Sequence, residues 1–200
     1  MSGRSAGIVL AAGASSRMGR PKQLLAVGGR PLLECVVAEA CDSSLDEVLV
    51  VLGANAGAIL DRVGFGRATP HLNPDHTTGM ASSLRAGLSA LAPDIERAVV
   101  ILGDQPAVSA SMLDDLLELQ ATAGLPAAAL SFGGLLHPPV VLRRELWGAL
   151  QSLEGDVGCR AVIRARPELV AAMPAAGDLH HPVDVDTPED YAKLLTSESA

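Results

Sequence analysis

The sequence predicts an α/β protein built on an open, mostly parallel sheet with helices on both faces. Two observations carry this. Residues 6–11, 47–52 and 98–102 are short, nearly unbroken aliphatic runs, the pattern of strands buried on both faces. Between such runs lie helical repeats, clearest over 79–91, where Met80, Leu84, Leu88 and Leu91 recur at the 3.6-residue period.

Taken in order, the run 6–11 is the first strand and stops at Gly13. Pro31 suits the first turn of a helix running to about Cys41, because its missing N–H is not needed there. After the strand 47–52, Asn55 is a candidate cap for a short helix to Arg62. Residues 69–72 form a weaker strand, followed by the helix 79–91 and the strand 98–102. Ser109 can cap the next helix, which carries Met112, Leu113, Leu116 and Leu117. Beyond Pro126 the alternation loosens. Strands are expected at 127–132, 139–142 and 168–173, and helices at 143–153 and 158–164. Thr187 followed by Pro188 reads as a capped helix start.

The chain has 200 residues, 48% apolar and 19% charged, enough for one core and unlike a disordered composition. A single domain over 1–200 is expected, with 1–5 and 196–200 as tails. Aromatics are only 2%, so base-stacking platforms are not available, and the net charge of −8 argues against a nucleic-acid footprint. Cys35, Cys41 and Cys159 form no CxxC pair, which disfavours a disulfide framework or a zinc site. No apolar run reaches membrane-spanning length and residues 1–5 lack a signal-peptide core. The expectation is a soluble cytoplasmic protein with neither nucleic acid nor membrane as partner.

Charge is unevenly distributed. No acid precedes Glu34, whereas Arg4, Arg17, Arg20, Lys22 and Arg30 do. A basic island in an acidic protein suggests local anion binding, the alternative being a loosely ordered basic start. Within it, Leu10-Ala11-Ala12-Gly13-Ala14-Ser15-Ser16-Arg17-Met18-Gly19-Arg20-Pro21-Lys22 begins where the first strand ends, the usual ligand position in open α/β sheets. Gly13 and Gly19 permit unusual backbone conformations. Arg17 offers a bidentate fork and Lys22 a point charge for phosphate. It is neither a Walker loop nor a GxGxxG fingerprint. Two acidic elements complement it. Asp104, in Gly103-Asp104-Gln105-Pro106, ends a buried strand. Asp184 and Asp186 flank Val185 and share one face if that segment is a strand. Each has a plainer reading, a turn residue for Asp104 and a capped acidic helix start for the second. His71 and His76 read as loop residues, and Trp147 and Tyr191 as packing.

The segment from Leu10 to Lys22 resembles the signature of the MobA-like nucleotidyltransferases. Three further blocks are similar to that family in the same order: Gly79-Met80-Ala81-Ser82-Ser83-Leu84, Gly103-Asp104-Gln105-Pro106 and the residues from Asp184 to Asp190. The similarity is greatest to the molybdenum cofactor cytidylyltransferase subgroup. It implies a three-layer αβα sandwich, Rossmann-like, with a mixed, mainly parallel sheet of the nucleotide-diphospho-sugar transferase type. It implies nucleotide contacts from Leu10, Ala11, Ala12, Gly13, Arg17, Lys22, Gly79 and Ser82, with the neighbours of Ser82 lining the same pocket and Arg17, Lys22 and Asp104 as catalytic groups. It implies Mg²⁺ on Asp104 and Asp186, CTP or another nucleoside triphosphate as donor, a molybdopterin-type acceptor, and a molybdoenzyme or its chaperone as protein partner. Alanine at position 12 is similar to the cytidylyl enzymes, where guanylyl relatives carry glycine. The family pattern has Arg-Gly-His-Pro beside the acceptor; this sequence has Leu135-Leu136-His137-Pro138, which leaves His137 as the acceptor-side residue carried over. Related chains use other nucleotides or acceptors, one branch is described as a pigment oxidoreductase, and a non-catalytic cofactor-handling module would share the fold.

Overall fold

The computed structural model describes residues 3–175 and 184–197. The elements run β1 (Arg4–Ala11), a small hairpin of β2 (Ala26–Val27) and β3 (Arg30–Pro31), α1 (Leu32–Asp42), β4 (Glu47–Leu52), α2 (Ala56–Arg62), β5 (Thr69–Leu72), α3 (Met80–Ala90), β6 (Ile95–Leu102), α4 (Ala110–Ala123), β7 (Ala127–Phe132), β8 (Leu135–Arg143), α5 (Trp147–Gln151), α6 (Arg160–Ala165), β9 (Val170–Pro174) and α7 (Pro188–Ser197). Seven strands form one sheet in the order β5-β4-β1-β6-β8-β7-β9. All are parallel except β8, which pairs antiparallel with both β6 and β7.

Strand alternation divides the core into two layers. Val9, Val50, Val99 and Ile101 point to one face, where Leu33 and Val37 of α1 and Leu113 and Leu116 of α4 cover them. Ile8, Leu49, Val51, Ala98 and Val100 point to the other, against Leu84 and Leu88 of α3 and Trp147 and Leu150 of α5. Each run is continuously apolar because both faces need aliphatic cover. The result is the expected three-layer sandwich with a mixed, mainly parallel sheet. No helix among the described residues is long and apolar enough to cross a membrane.

Several local expectations change. β1 begins at Arg4, inside the stretch expected to be a tail. Asp46 explains this: its carboxylate accepts from Ser5 N at 2.7 Å, and its own N–H donates to Ser5 O at 2.9 Å. At the other end α7 reaches Ser197. Thr187 N donates to Asp190 Oδ2 at 3.0 Å and Asp190 N to Thr187 Oγ1 at 3.2 Å, a reciprocal cap that starts the helix firmly. Asn55 does not cap α2 with its side chain; it turns the backbone instead, at φ 61°. The strand expected at 139–142 is the inner half of a longer β8. It is joined to β7 through Gly133-Gly134, whose φ values of 57° and 77° suit a two-residue hairpin turn. The helix expected over 143–153 is a 3₁₀ turn followed by the short α5. Residues 184–186 are not a strand. One backbone bond, Val185 N to Asp104 O at 3.1 Å, ties them to the end of β6.

Candidate active site

The ends of β1 and β6 lie side by side, with Gly103 N donating to Leu10 O at 2.9 Å. The chain leaves β1 toward β4 on one side and β6 on the other. Such a switch point opens a crevice beyond the carboxyl ends of the strands. A cavity of about 520 Å³ lies there, lined by the loop after β1, the residues before and in α3, the end of β6, and the 156–160 and 184–186 segments. That volume falls within the rough 300–1,000 Å³ range of small-molecule sites.

The loop after β1 is closed by a residue with no obvious sequence signal. Gln23 is buried, and its amide donates to Ala11 O at 3.0 Å and Gly13 O at 2.9 Å. Its other end accepts from Ser15 Oγ at 3.2 Å. Ser15 Oγ in turn accepts from Lys22 N at 3.1 Å. This stitches both ends of the loop together and fixes where Lys22 leaves the backbone. The unusual turn geometry is shared differently from expectation. Gly19 is left-handed at φ 64°, while Gly13 is not and Ser15 is, at φ 55°.

Lys22 projects into the cleft between two carboxylates. Its ammonium donates to Asp104 Oδ2, and to Asp186 Oδ1 at 2.7 Å. Arg17 Nη2 donates to the other oxygen of Asp186 at 2.8 Å. Burial pulls the Lys22 ammonium down, but Asp104 and Asp186 outweigh it and hold it above its ordinary value. Burial also pushes the Asp104 carboxyl up; Lys22 offsets that only in part, and the neighbouring Asp184 and Asp186 push the same way. For the more open Asp186, burial is outweighed by Lys22 and Arg17, so its carboxyl sits below the usual range. Asp184 faces the same cavity but keeps different company. It accepts from Gln105 Nε2 at 2.7 Å and lies 3.8 Å from Arg160 Nη2.

The far wall begins after β5. Gly79 has φ 108°, and a Cβ built on it would sit 2.3 Å from the carbonyl carbon and oxygen of Gly155. Only glycine lets the 153–158 turn dock here, where Ala81 N donates to Gly155 O at 3.1 Å. Ser83 lines the cavity and Ser82 does not. Ser82 is buried, accepting from Asn73 Nδ2 at 2.8 Å and contacting Gly79 O at 2.8 Å. One residue along a helix turns the side chain by about 100°, which moves the expected serine contact from Ser82 to Ser83. His137, on β8, pairs with Leu130 of β7 and is not among the residues lining the cavity. Leu10, Ala11, Ala12, Gly13, Arg17, Lys22, Gly79, Asp104 and Asp186 all line the cavity as expected. Gln23, His76, Met80, Asp156 and Arg160 line it too and were not anticipated. A glycine-rich approach, Gly155-Asp156-Val157-Gly158 before Arg160, was the signal available for the last two.

Residues 7–172 match the model of the MobA-like NTP transferase domain. The chain belongs to that family. Among MobA-like relatives it is 37% identical to a nicotine blue oxidoreductase of Paenarthrobacter nicotinovorans, over 94% of this chain and 95% of that one. It is 31% identical to the purine catabolism protein PucB of Bacillus subtilis, over 92% and 93%. A solved structure of Rv0371C from Mycobacterium tuberculosis in complex with manganese superposes with a TM-score of 0.83 at 27% identity, covering 97% of this chain and 99% of that one. The matched residues include the basic loop and Asp104, and Asp186 lies beyond them.

Proposed function

We propose that the chain transfers CMP from CTP to the phosphate of a molybdopterin-type acceptor carrying molybdenum, releasing pyrophosphate. The observation that carries this reading is the convergence of Lys22, Arg17, Asp104 and Asp186 from segments up to 169 residues apart on one cleft. Asp104 and Asp186 give a hard-oxygen donor pair. Mg²⁺ binds through one or two carboxylates and fills its remaining positions with water and substrate phosphates. The donor set therefore fits such an ion, and the manganese complex of the mycobacterial relative is consistent with divalent metal use. A bound divalent ion would neutralise phosphate charge and polarise the α-phosphate.

The protein's own groups do the rest. Lys22 and Arg17, now holding carboxylates, turn to the triphosphate and hold it in line. The ionised phosphate of the acceptor is already a nucleophile at neutral pH, so no general base is required. Positioning and charge neutralisation then account for catalysis. Ala12 closes the base side. Its Cβ lies against Gly53, where an added methyl would be 2.9 Å away, with His76 beside it. A smaller base suits that narrowed wall.

Two results test the donor side. In a thermal-shift panel of CTP, GTP, ATP and UTP with the metal, CTP should stabilise the fold most, by about 2.7 kcal/mol at 100 times its Kd. Ala12→Gly should narrow the gap to GTP. Equal turnover of CTP and GTP by the parent would remove the base assignment. Arg17→Ala and Lys22→Ala should each weaken CTP binding by about ten- to a hundredfold, the worth of a charge-assisted contact at roughly 1.5–3 kcal/mol. Their stabilities should differ. Arg17 is 69% exposed, and its loss leaves folding unchanged. Lys22 is 16% exposed, and its loss leaves Asp104 and Asp186 facing each other uncompensated. Calorimetric titration and melting curves of both variants check this; unchanged CTP affinity in both would make the loop structural.

A second reading is favoured by the 37% identity to the nicotine blue oxidoreductase. Pyrophosphate released with CTP and acceptor supports transfer. Redox turnover of a nicotine-derived pigment, and no pyrophosphate, would replace it.

A further inference from the structure

We propose that Arg160 is the anchor for the anionic group of the acceptor, a phosphate monoester, in a subsite separate from the triphosphate cradle. This rests on the nucleotidyl-transfer reading for the identity of the acceptor.

The cleft carries two sets of cations. Lys22 and Arg17 converge on Asp186, with Asp104 beneath. Arg160 instead faces Asp184, two residues earlier along the same segment. The two positive centres therefore line one cleft without sharing a carboxylate, as a reaction joining two phosphates requires. Arg160 opens α6, a helix whose Ile163 belongs to the layer that also holds Val140 and Leu142 of β8. Ala12 and His76, the narrow base wall, come from the β1, β4 and β5 side instead. Arg160 thus reaches the cleft from a different element than the loop that carries Arg17 and Lys22.

Arg160 is also built to act on a ligand. The preceding turn is held at three points. Arg85 Nη1 donates to Leu153 O, Gly155 O accepts from Ala81 N at 3.1 Å, and Cys159 is buried in the core. Its side chain is nevertheless 39% exposed, and its contact with Asp184 is loose at 3.8 Å. Asp184 is held more firmly elsewhere, by Gln105 Nε2 at 2.7 Å. Asp184 therefore orients the fork without saturating it. A guanidinium has five donors and matches phosphate in a bidentate way. A rigid base with a loosely paired, half-open fork suits an incoming dianion.

The test uses phenyl phosphate as the monoester probe, titrated by phosphorus NMR onto the parent, Arg160→Gln and Arg160→Lys, each with and without saturating CTP and Mg²⁺. CTP affinity is measured alongside by calorimetry. Phenyl phosphate is expected to bind the CTP-loaded parent. Arg160→Gln should lose tenfold or more of that affinity while keeping CTP affinity within twofold, and Arg160→Lys should recover part of it. The proposal is overturned if CTP displaces the probe, if Arg160→Gln weakens CTP as much as the probe, or if probe affinity does not depend on Arg160. Arg160-dependent probe binding by a parent that binds no nucleotide would keep the subsite and end the nucleotidyl-transfer reading. CTP binding with Arg160-independent probe binding would do the reverse.

Discussion

Asp104→Asn and Asp186→Asn should each reduce pyrophosphate release by several orders of magnitude, and Asp184→Asn should not. Asparagine keeps the shape of the side chain and removes its charge. A metal-stabilised transition state is worth several kcal/mol, so losing either donor removes most of the rate. Asp184 stands with Gln105 and Arg160 rather than Lys22, and its loss should affect the acceptor more than the metal. Stability separates the two inactive variants. Burial raises the folded-state pKa of Asp104 above its ordinary value. A raised carboxyl favours the folded state at low pH and opposes it once pH rises through the folded pKa. Replacing it with neutral asparagine removes that cost but also a partner of the Lys22 ammonium, so the melting temperature at pH 7 should change little. Asp186 has the opposite sign. Lys22 and Arg17 hold its folded pKa below the ordinary value, so its charge contributes stability that is present at neutral pH and lost as pH falls. Asp186→Asn should melt lower at pH 7, with the gap to the parent closing in acid. Initial rates against Mg²⁺ concentration and melting curves at two pH values check both halves. An inactive Asp184→Asn beside a mild Asp186→Asn would exchange the two roles. Three active variants would exclude a carboxylate-dependent transfer.

What the sequence disclosed, and what it did not, follows the range of the interactions involved. β1, β4 and β6 were legible because a strand buried on both faces must be continuously aliphatic. Asp104 was legible because it follows directly on a buried strand, and Lys22 because it closes the compact motif that begins where β1 ends. Gln23 was not, since an amide that closes a loop from inside leaves no period and no charge pattern. At 184–186 the alternation implied a shared face for the two carboxylates if the segment were a strand, and it is not one. The alternation is real, with Val185 buried between two cleft-facing carboxylates, but one backbone bond to Asp104 suffices to impose it. Ser82 turns inward to Asn73 while its neighbour Ser83 lines the cleft, a difference of one helical step that a motif match does not resolve. His71 and His76 looked alike as loop residues, yet only His76 lines the cleft. Arg160 depends on how the 153–158 turn docks against α3, through contacts between residues about 70 apart that no local pattern shows.

That docking gives the other large expected effect. Gly79→Ala should destabilise the protein and disable the cleft together. Two costs add at this position. Gly79 has φ 108°, a conformation that L residues rarely adopt, and holding alanine there costs of order 1–3 kcal/mol. Its Cβ would also lie 2.3 Å from the backbone of Gly155 and 2.7 Å from Asp156 N. Backbone cannot rotate away as a side chain does, so either the turn lifts or the start of α3 shifts. Overpacking of this kind costs a further 1–3 kcal/mol or so, and together the loss should reach about 2–6 kcal/mol. Relief by lifting the turn would break the Ala81 N to Gly155 O bond and carry Asp156 and Arg160 out of register with Asp184. The variant should therefore lose phenyl phosphate binding even at temperatures where it remains folded, while Lys22, fixed from the opposite wall by Ser15 and Gln23, still meets Asp104. Gly155→Ala is the control. Its φ is 66°, but nothing lies within 4 Å of the added methyl, so it carries the backbone strain without the clash. Melting temperature and probe affinity measured on both variants separate the terms. If Gly79→Ala and Gly155→Ala fall equally, strain alone accounts for the glycine, and the close approach that seats Arg160 is not what position 79 is for.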